Sequence, residues 1–159
     1  MSDNYTELYY HIVWRTRLSE QFISPDLEPA LYNYLVTLCR RLNVEVLALN
    51  GMPDHVHLVC KIPPTVSLSQ LVKDLKGKSA RFVNDLPDFR LSLAWQPGYA
   101  ALTFAKRNLA SVVRYVRDQK EHHAQGGLLR KLEITGGSDS DLSVAEGLCS
   151  AAPRTEVQG

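Results

Sequence analysis

Polar and apolar positions along the chain form short β-type runs divided by longer stretches at helical spacing. Residues 5 to 14, YTELYYHIVW, concentrate aromatic and β-branched side chains and predict a first strand, broken by Arg15, Thr16 and Arg17. Leu27, Leu31, Tyr34, Leu35, Leu38 and Leu42 then recur one helical face at a time. They predict an amphipathic helix starting near Pro25 and ending near Leu42, with Arg40 and Arg41 at the negative end of its dipole and Asn43 as its stop. Residues 44 to 49 and 55 to 62 predict two strands. The turn Asn-Gly-Met-Pro-Asp joins them into an antiparallel hairpin that Pro63 and Pro64 end.

Ser67 is placed to cap a second helix reaching about Asn84, with Leu68, Leu71, Val72, Leu75 and Phe82 inward and Lys73, Lys76, Lys78 and Arg81 on the outside. Gly77 interrupts it at a cost of about 1 kcal/mol relative to Ala, which a close packing or backbone approach would explain. Leu91 to Trp95 and Tyr99 to Phe104, separated by Gln-Pro-Gly, predict the closing strand or strands, and Asn108 is placed to cap a third helix from Leu109 to His123. The order strand, helix, strand, strand, helix, strand, helix predicts an α+β fold. It is a ferredoxin-like antiparallel sheet with two packed helices and one additional C-terminal helix.

The 159 residues, 45% of them hydrophobic, suffice for one core. Residues 1–135 are expected to form that domain and 136–159, rich in Gly, Ser, Ala and acidic groups, a flexible acidic tail. The overall charge of +1 hides this division, because Asp139, Asp141, Glu146 and Glu156 face only Arg154 in the tail and leave +4 for the domain. A mildly basic domain permits nucleic acid without requiring it. No apolar run approaches the roughly 20 residues of a membrane span, and the start MSDNYTE lacks the features of a signal peptide, so a cytoplasmic protein without membrane contact is expected. Cys39, Cys60 and Cys149 show no metal or redox spacing, and the first two fall within apolar patterns.

In the stretch GMPDHVHLV, alternation along a strand puts His55 and His57 on one face and Val56, Leu58 and Cys60 on the other. Two adjacent imidazoles can hold one divalent metal if a third group completes the shell, or they can stand on a solvated sheet face. On the third helix Leu109, Val112, Val113 and Val116 form an apolar stripe, with Tyr115, Gln119 and His122 along its edge. Tyr115 and Gln119 are one turn apart. Alone, a tyrosine there is an amphipathic aromatic at a core boundary.

His-hydrophobic-His on a strand, LVKDLKGKSARFVN on the next helix, WQPGY, and VVRYVRDQKEHH on a late helix together resemble the small single-tyrosine HUH transposases of bacterial insertion sequences, the TnpA type. The resemblance covers Tyr9 to His123. It implies that His55 and His57 are a metal-binding pair, that Tyr115 on the C-terminal helix is the nucleophile, and that Gln119 is the third metal ligand. It also implies a homodimer in which the tyrosine helix of one subunit can complete the other's site, and a single-stranded DNA substrate with a subterminal hairpin.

The chemistry such a site requires follows from the tyrosine. With an ordinary pKa of about 10 it is a weak nucleophile at neutral pH, and a phosphodiester polarised by Mg²⁺ or Mn²⁺ answers that need. Imidazole donors favour Mn²⁺ of the two, although availability can reverse the choice. Attack would leave a 5′-phosphotyrosine and a free 3′-hydroxyl, which makes the expected activity cleavage and strand transfer. His122 and His123 are candidate proton acceptors, but at a helix C-terminus they also simply suit the dipole. Arg15, Arg17, Lys73, Lys76, Lys78 and Arg81 are candidates for phosphate contacts, and Trp95 and Tyr99 for stacking on bases or for the core. The alternatives are a domesticated relative acting on cellular palindromic repeats, a non-catalytic nucleic-acid-binding module of the same fold, and a metal-dependent hydrolase with Asp54 as the nearest carboxylate.

Overall fold

The hairpin expected around GMPDHVHLV is the spine of the molecule. In the computed structural model, which describes residues 4–89 and 92–125, strands β2 (Glu45–Met52) and β3 (His55–Lys61) pair across the turn at Pro53 and Asp54. Strand β1 (Tyr9–Arg15) lies antiparallel on the other side of β3, and β4 (Ala100–Thr103) pairs antiparallel with β1. The sheet order is therefore β2-β3-β1-β4, the arrangement expected from the order of elements.

Helices α1 (Glu28–Arg41) and α2 (Leu68–Asn84) cover one face of this sheet. Ile12, Trp14, Val56, Leu58 and Cys60 project onto it and pack against Leu31, Leu35, Leu38, Leu71, Val72 and Leu75. Helix α3 (Leu109–Arg117) covers the other face, where Val112, Tyr115 and Val116 meet Ala48 and Val59. An irregularity between Val46 and Ala48 in the pairing of β2 with β3 turns both Leu47 and Ala48 toward that second cluster.

Several boundaries move from their expected places. Strand β1 begins at Tyr9, and the first helix at Glu28, because Pro25 belongs to a turn and the proline within the first helical turn is Pro29, whose missing N–H costs nothing there. Asn43 does end that helix, in the left-handed region at φ 56°, which asparagine tolerates. Ser67 caps α2 by accepting from the Gln70 amide at 3.4 Å.

Gly77 is exposed, with nothing within 4 Å of where a Cβ would stand, so close packing is not its reason. Of the two closing segments only the second yields a strand, while Trp95 makes a lone bridge to Thr16 and Leu91 lies outside the described residues. Asn108 does not cap α3 with its side chain. Its backbone is already helical, in a 3-10 turn (Lys106–Asn108), and its carbonyl accepts from Ser111 Oγ.

The expected single helix to His123 is in fact two. Asp118 departs from helical geometry at φ −90°, ψ 14°, and helix α4 (Gln119–Gln125) restarts after it. The domain boundary at 135, the acidic tail and Cys149 lie outside the described residues. Among those described, no helix is long and apolar enough to cross a membrane.

Candidate active site

Alternation along β3 places His55 and His57 on the face covered by α3, opposite Val56 and Leu58. The helix buries them. His55 is 2% exposed and His57 0%, which overturns the solvated-face alternative. Their ring centroids are 5.0 Å apart at 68°.

Tyr115 meets this pair from α3, its ring 6.3 Å from that of His57 and edge-on at 74°. It is 4% exposed, and Gln119, the first residue of α4, is 0% exposed. The valines of the stripe set the helix on β2 and β3, and Asn50 of β2, which pairs with His57 in register, donates from Nδ2 to the Arg117 carbonyl at 2.8 Å. That bond ties the end of α3 to the strand beside the histidines. All four residues belong to one chain.

Three further residues surround them: Asp54, the nearest carboxylate in sequence; His123, a candidate proton acceptor; and His11, which no sequence pattern singled out. Asp54 Oδ1 accepts from His55 Nδ1 at 2.6 Å, while Oδ2 accepts from Arg15 at 3.0 Å. One oxygen is thus engaged by His55 and the other by Arg15, which does not suit Asp54 to serve as a hydrolytic base. His11 of β1 lies 2.9 Å from His57, Nε2 to Nδ1. The His123 ring centroid stands 5.2 Å from that of His55, so from within α4 it faces the site; the His122 side chain is outside what is described.

Burial, reinforced by neighbouring His57, lowers the His55 pKa to about 4 against the opposing pull of Asp54, so this imidazole is neutral at neutral pH. A neutral imidazole is the form that binds a metal. Among the described residues no three His, Cys, Asp or Glu side chains converge on a cation. A divalent ion bound by the two imidazoles would take its remaining ligands from oxygen donors such as an amide, water or substrate, and such a mixed nitrogen and oxygen set fits Mn²⁺ or Mg²⁺.

Of the expected phosphate-binding residues, Arg15 lies opposite His55 in register, whereas the cations of α2 are not at this site. Lys73, Lys76, Lys78 and Arg81 sit on α2, on the opposite side of the sheet. Lys76 donates to the Gln96 and Gly98 carbonyls, both at 2.7 Å, and so holds the Gln-Pro-Gly loop. Lys78 pairs with Asp74 and Arg81 with Asp85, whereas Arg15 is engaged with Asp54 and Arg17 is exposed. Trp95 belongs to the core, edge-on to Trp14 with its indole N–H donating to Ser79 Oγ at 3.0 Å. Cys39 and Cys60 are buried, and burial pushes both thiols up, Cys39 to about 12.

Comparison with known proteins identifies the family and supports the fold. The family model described as "Transposase IS200 like" matches residues 4–119. The ISDra2 transposase TnpA of Deinococcus radiodurans is 31% identical over 121 residues, covering 72% of this chain and 86% of the relative. The transposase for insertion sequence element IS200 of Salmonella typhimurium is 32% identical over 122 residues, covering 74% and 80%.

Among solved structures, a crystal structure of a transposase from Deinococcus radiodurans superposes with a TM-score of 0.61 at 28% identity, over 75% of this chain and 95% of the other. A REP-associated tyrosine transposase bound to a REP hairpin superposes with a TM-score of 0.60 at 15% identity, over 100% and 93%, and shares the fold. With a family match that spans both histidines, the tyrosine and the glutamine, the chain belongs to the IS200-like transposases and acts in DNA transposition.

Proposed function

We propose that this transposase cleaves and rejoins single-stranded DNA at insertion-sequence ends, with Tyr115 as nucleophile and a 5′-phosphotyrosine intermediate. The observation that carries this reading is that two buried imidazoles, His55 and His57, and the Tyr115 phenol stand together under α3, with buried Gln119 opening the next helix. His55, His57 and Gln119 would hold a divalent cation, Mg²⁺ or Mn²⁺, which when bound supplies Lewis-acid polarisation of the scissile phosphate's non-bridging oxygens.

The chain's own residues account for the remaining requirements. The packing of α3 on β2 and β3 holds the Tyr115 ring beside His57, and return of α3 to this packing over an admitted strand would bring the phenol to the cation site. As the bond from Tyr115 Oη to phosphorus forms, the bond from phosphorus to O3′ breaks. The phenol proton passes to solvent and the departing oxygen takes one up as a 3′-hydroxyl. The phosphotyrosine retains a phosphoester, so a second 3′-hydroxyl can displace the tyrosine and rejoin the strand without ATP. A substrate carrying a subterminal hairpin accords with the hairpin bound by the REP-associated relative. A homodimer is part of the proposal, with His55, His57 and Tyr115 of one chain already side by side.

The test uses full-length protein, Mn²⁺ and labelled single-stranded DNA carrying the hairpin that flanks the gene. Wild type should form a covalent adduct that maps to Tyr115, chelation should abolish it, and Tyr115→Phe should give neither adduct nor cleavage. Equal cleavage by Tyr115→Phe would sink the reading.

A further inference from the structure

His11 is in none of the motifs that carry the family resemblance, yet it is as deeply buried as His55 and His57, at 1% exposure. Sheet register explains how it gets there. Val13 of β1 lies opposite His57 of β3, and His11 lies opposite Val59, so His11 and His57 are diagonal neighbours on one face of the two central strands. The rings are nearly parallel, 13° apart with centroids 5.1 Å apart, and His11 Nε2 is 2.9 Å from His57 Nδ1. A separation of 46 residues in sequence is closed by strand pairing alone.

A neutral imidazole carries one N–H and one lone pair, so the hydrogen bond made at one ring nitrogen decides what the other can do. His55 illustrates the rule a few ångströms away. Its Nδ1 donates to Asp54, which leaves Nε2 as its lone-pair nitrogen. His57 has no carboxylate in that place; the group at its Nδ1 is His11.

We propose that His11 is a positioning residue for the cation site, accepting a hydrogen bond from His57 Nδ1–H through its own Nε2 and thereby fixing Nε2 of His57 as the metal-binding nitrogen. The opposite polarity, with His11 donating, would put the His57 proton on Nε2 and remove its capacity as a ligand. Because both rings are buried on rigid central strands, bulk water cannot substitute for the lost partner. The proposal rests on the reading that His57 holds a cation.

Two measurements on the full chain test it. In metal-free wild type, long-range proton–nitrogen spectra should show His57 protonated on Nδ1; protonation on Nε2 overturns the proposal, and this readout needs no variant. In calorimetric titration with Mn²⁺ alone, His11→Leu should weaken binding about 10–100-fold, and His11→Gln, which keeps an acceptor near the position of Nε2, should restore most of it. His11→Leu binding Mn²⁺ as tightly as wild type, or His11→Gln binding as poorly as His11→Leu, overturns the assignment to His11. Wild type that binds no Mn²⁺ removes the cation site itself, a different failure. Should His11→Leu not fold, the wild-type tautomer decides.

Discussion

At the scale of single residues, the chemistry-bearing groups and their supports differ in how visible they are along the chain. His55 and His57 announce themselves by spacing, and Tyr115 and Gln119 by a shared helical edge. His11 and the paired role of Asp54 do not, because each acts through strand pairing whose register no local pattern states. The alternation of β1 does assign His11 a face, but only the partner strand decides what shares it. Arg15 shows the converse: a cation expected to meet phosphate is held by Asp54, on the outer side of His55. Replacing Asp54 by Ala should therefore weaken Mn²⁺ binding about 10–100-fold through loss of the His55 orientation, read by titration with Mn²⁺ alone. Unchanged affinity in a folded Asp54→Ala protein would show that His55 needs no such support.

Elements place these residues, and two glycines show opposite sides of that task. Gly51 sits in β2 where a Cβ would stand 2.2 Å from the His55 carbonyl and 3.1 Å from the Tyr32 hydroxyl. Backbone cannot yield as a side chain can, so Gly51→Ala should destabilise the protein by roughly 1–3 kcal/mol and displace the start of β3, measured by chemical denaturation. Gly77 faces open space within α2, and Gly77→Ala should stabilise by about 1 kcal/mol in the same assay. A Gly77→Ala protein that is less stable would mean the helix needs flexibility there.

Helical periodicity predicted α2 closely. It missed the interruption at Asp118, since the apolar stripe and the run of polar residues after it are equally compatible with one helix or two. The bond from Asn50 to the Arg117 carbonyl lies at that interruption, joining residues 67 apart, which again is beyond local pattern.

For the whole molecule, the decisive fact is that the sheet is covered on both faces. The histidine and tyrosine site lies under α3, while the exposed cations of α2 stand two layers away, with roughly 10 Å per layer. On the proposed mechanism those cations are too far to touch a phosphate at Tyr115 of the same chain and would meet a more distant part of a DNA ligand that passes around a sheet edge. Neutralising Lys73 and Arg81 together should therefore weaken hairpin DNA binding and flatten its salt dependence by about 0.7–0.9 per lost contact. The rate of adduct formation at saturating DNA should stay the same. A fall in that saturated rate would place α2 nearer the reacting centre than the layers allow.

Burial of Tyr115 and Gln119 carries one more consequence. At 4% and 0% exposure neither can meet a phosphodiester from solvent, so on the proposed mechanism the strand is admitted only when the end of α3 lifts from β2. Turnover is then gated by a motion of the protein, and the group that latches the gate is the Asn50 amide. Asn50→Ala should lower stability by about 1 kcal/mol yet speed single-turnover adduct formation at saturating DNA, so that the weaker protein is the faster one in its first step.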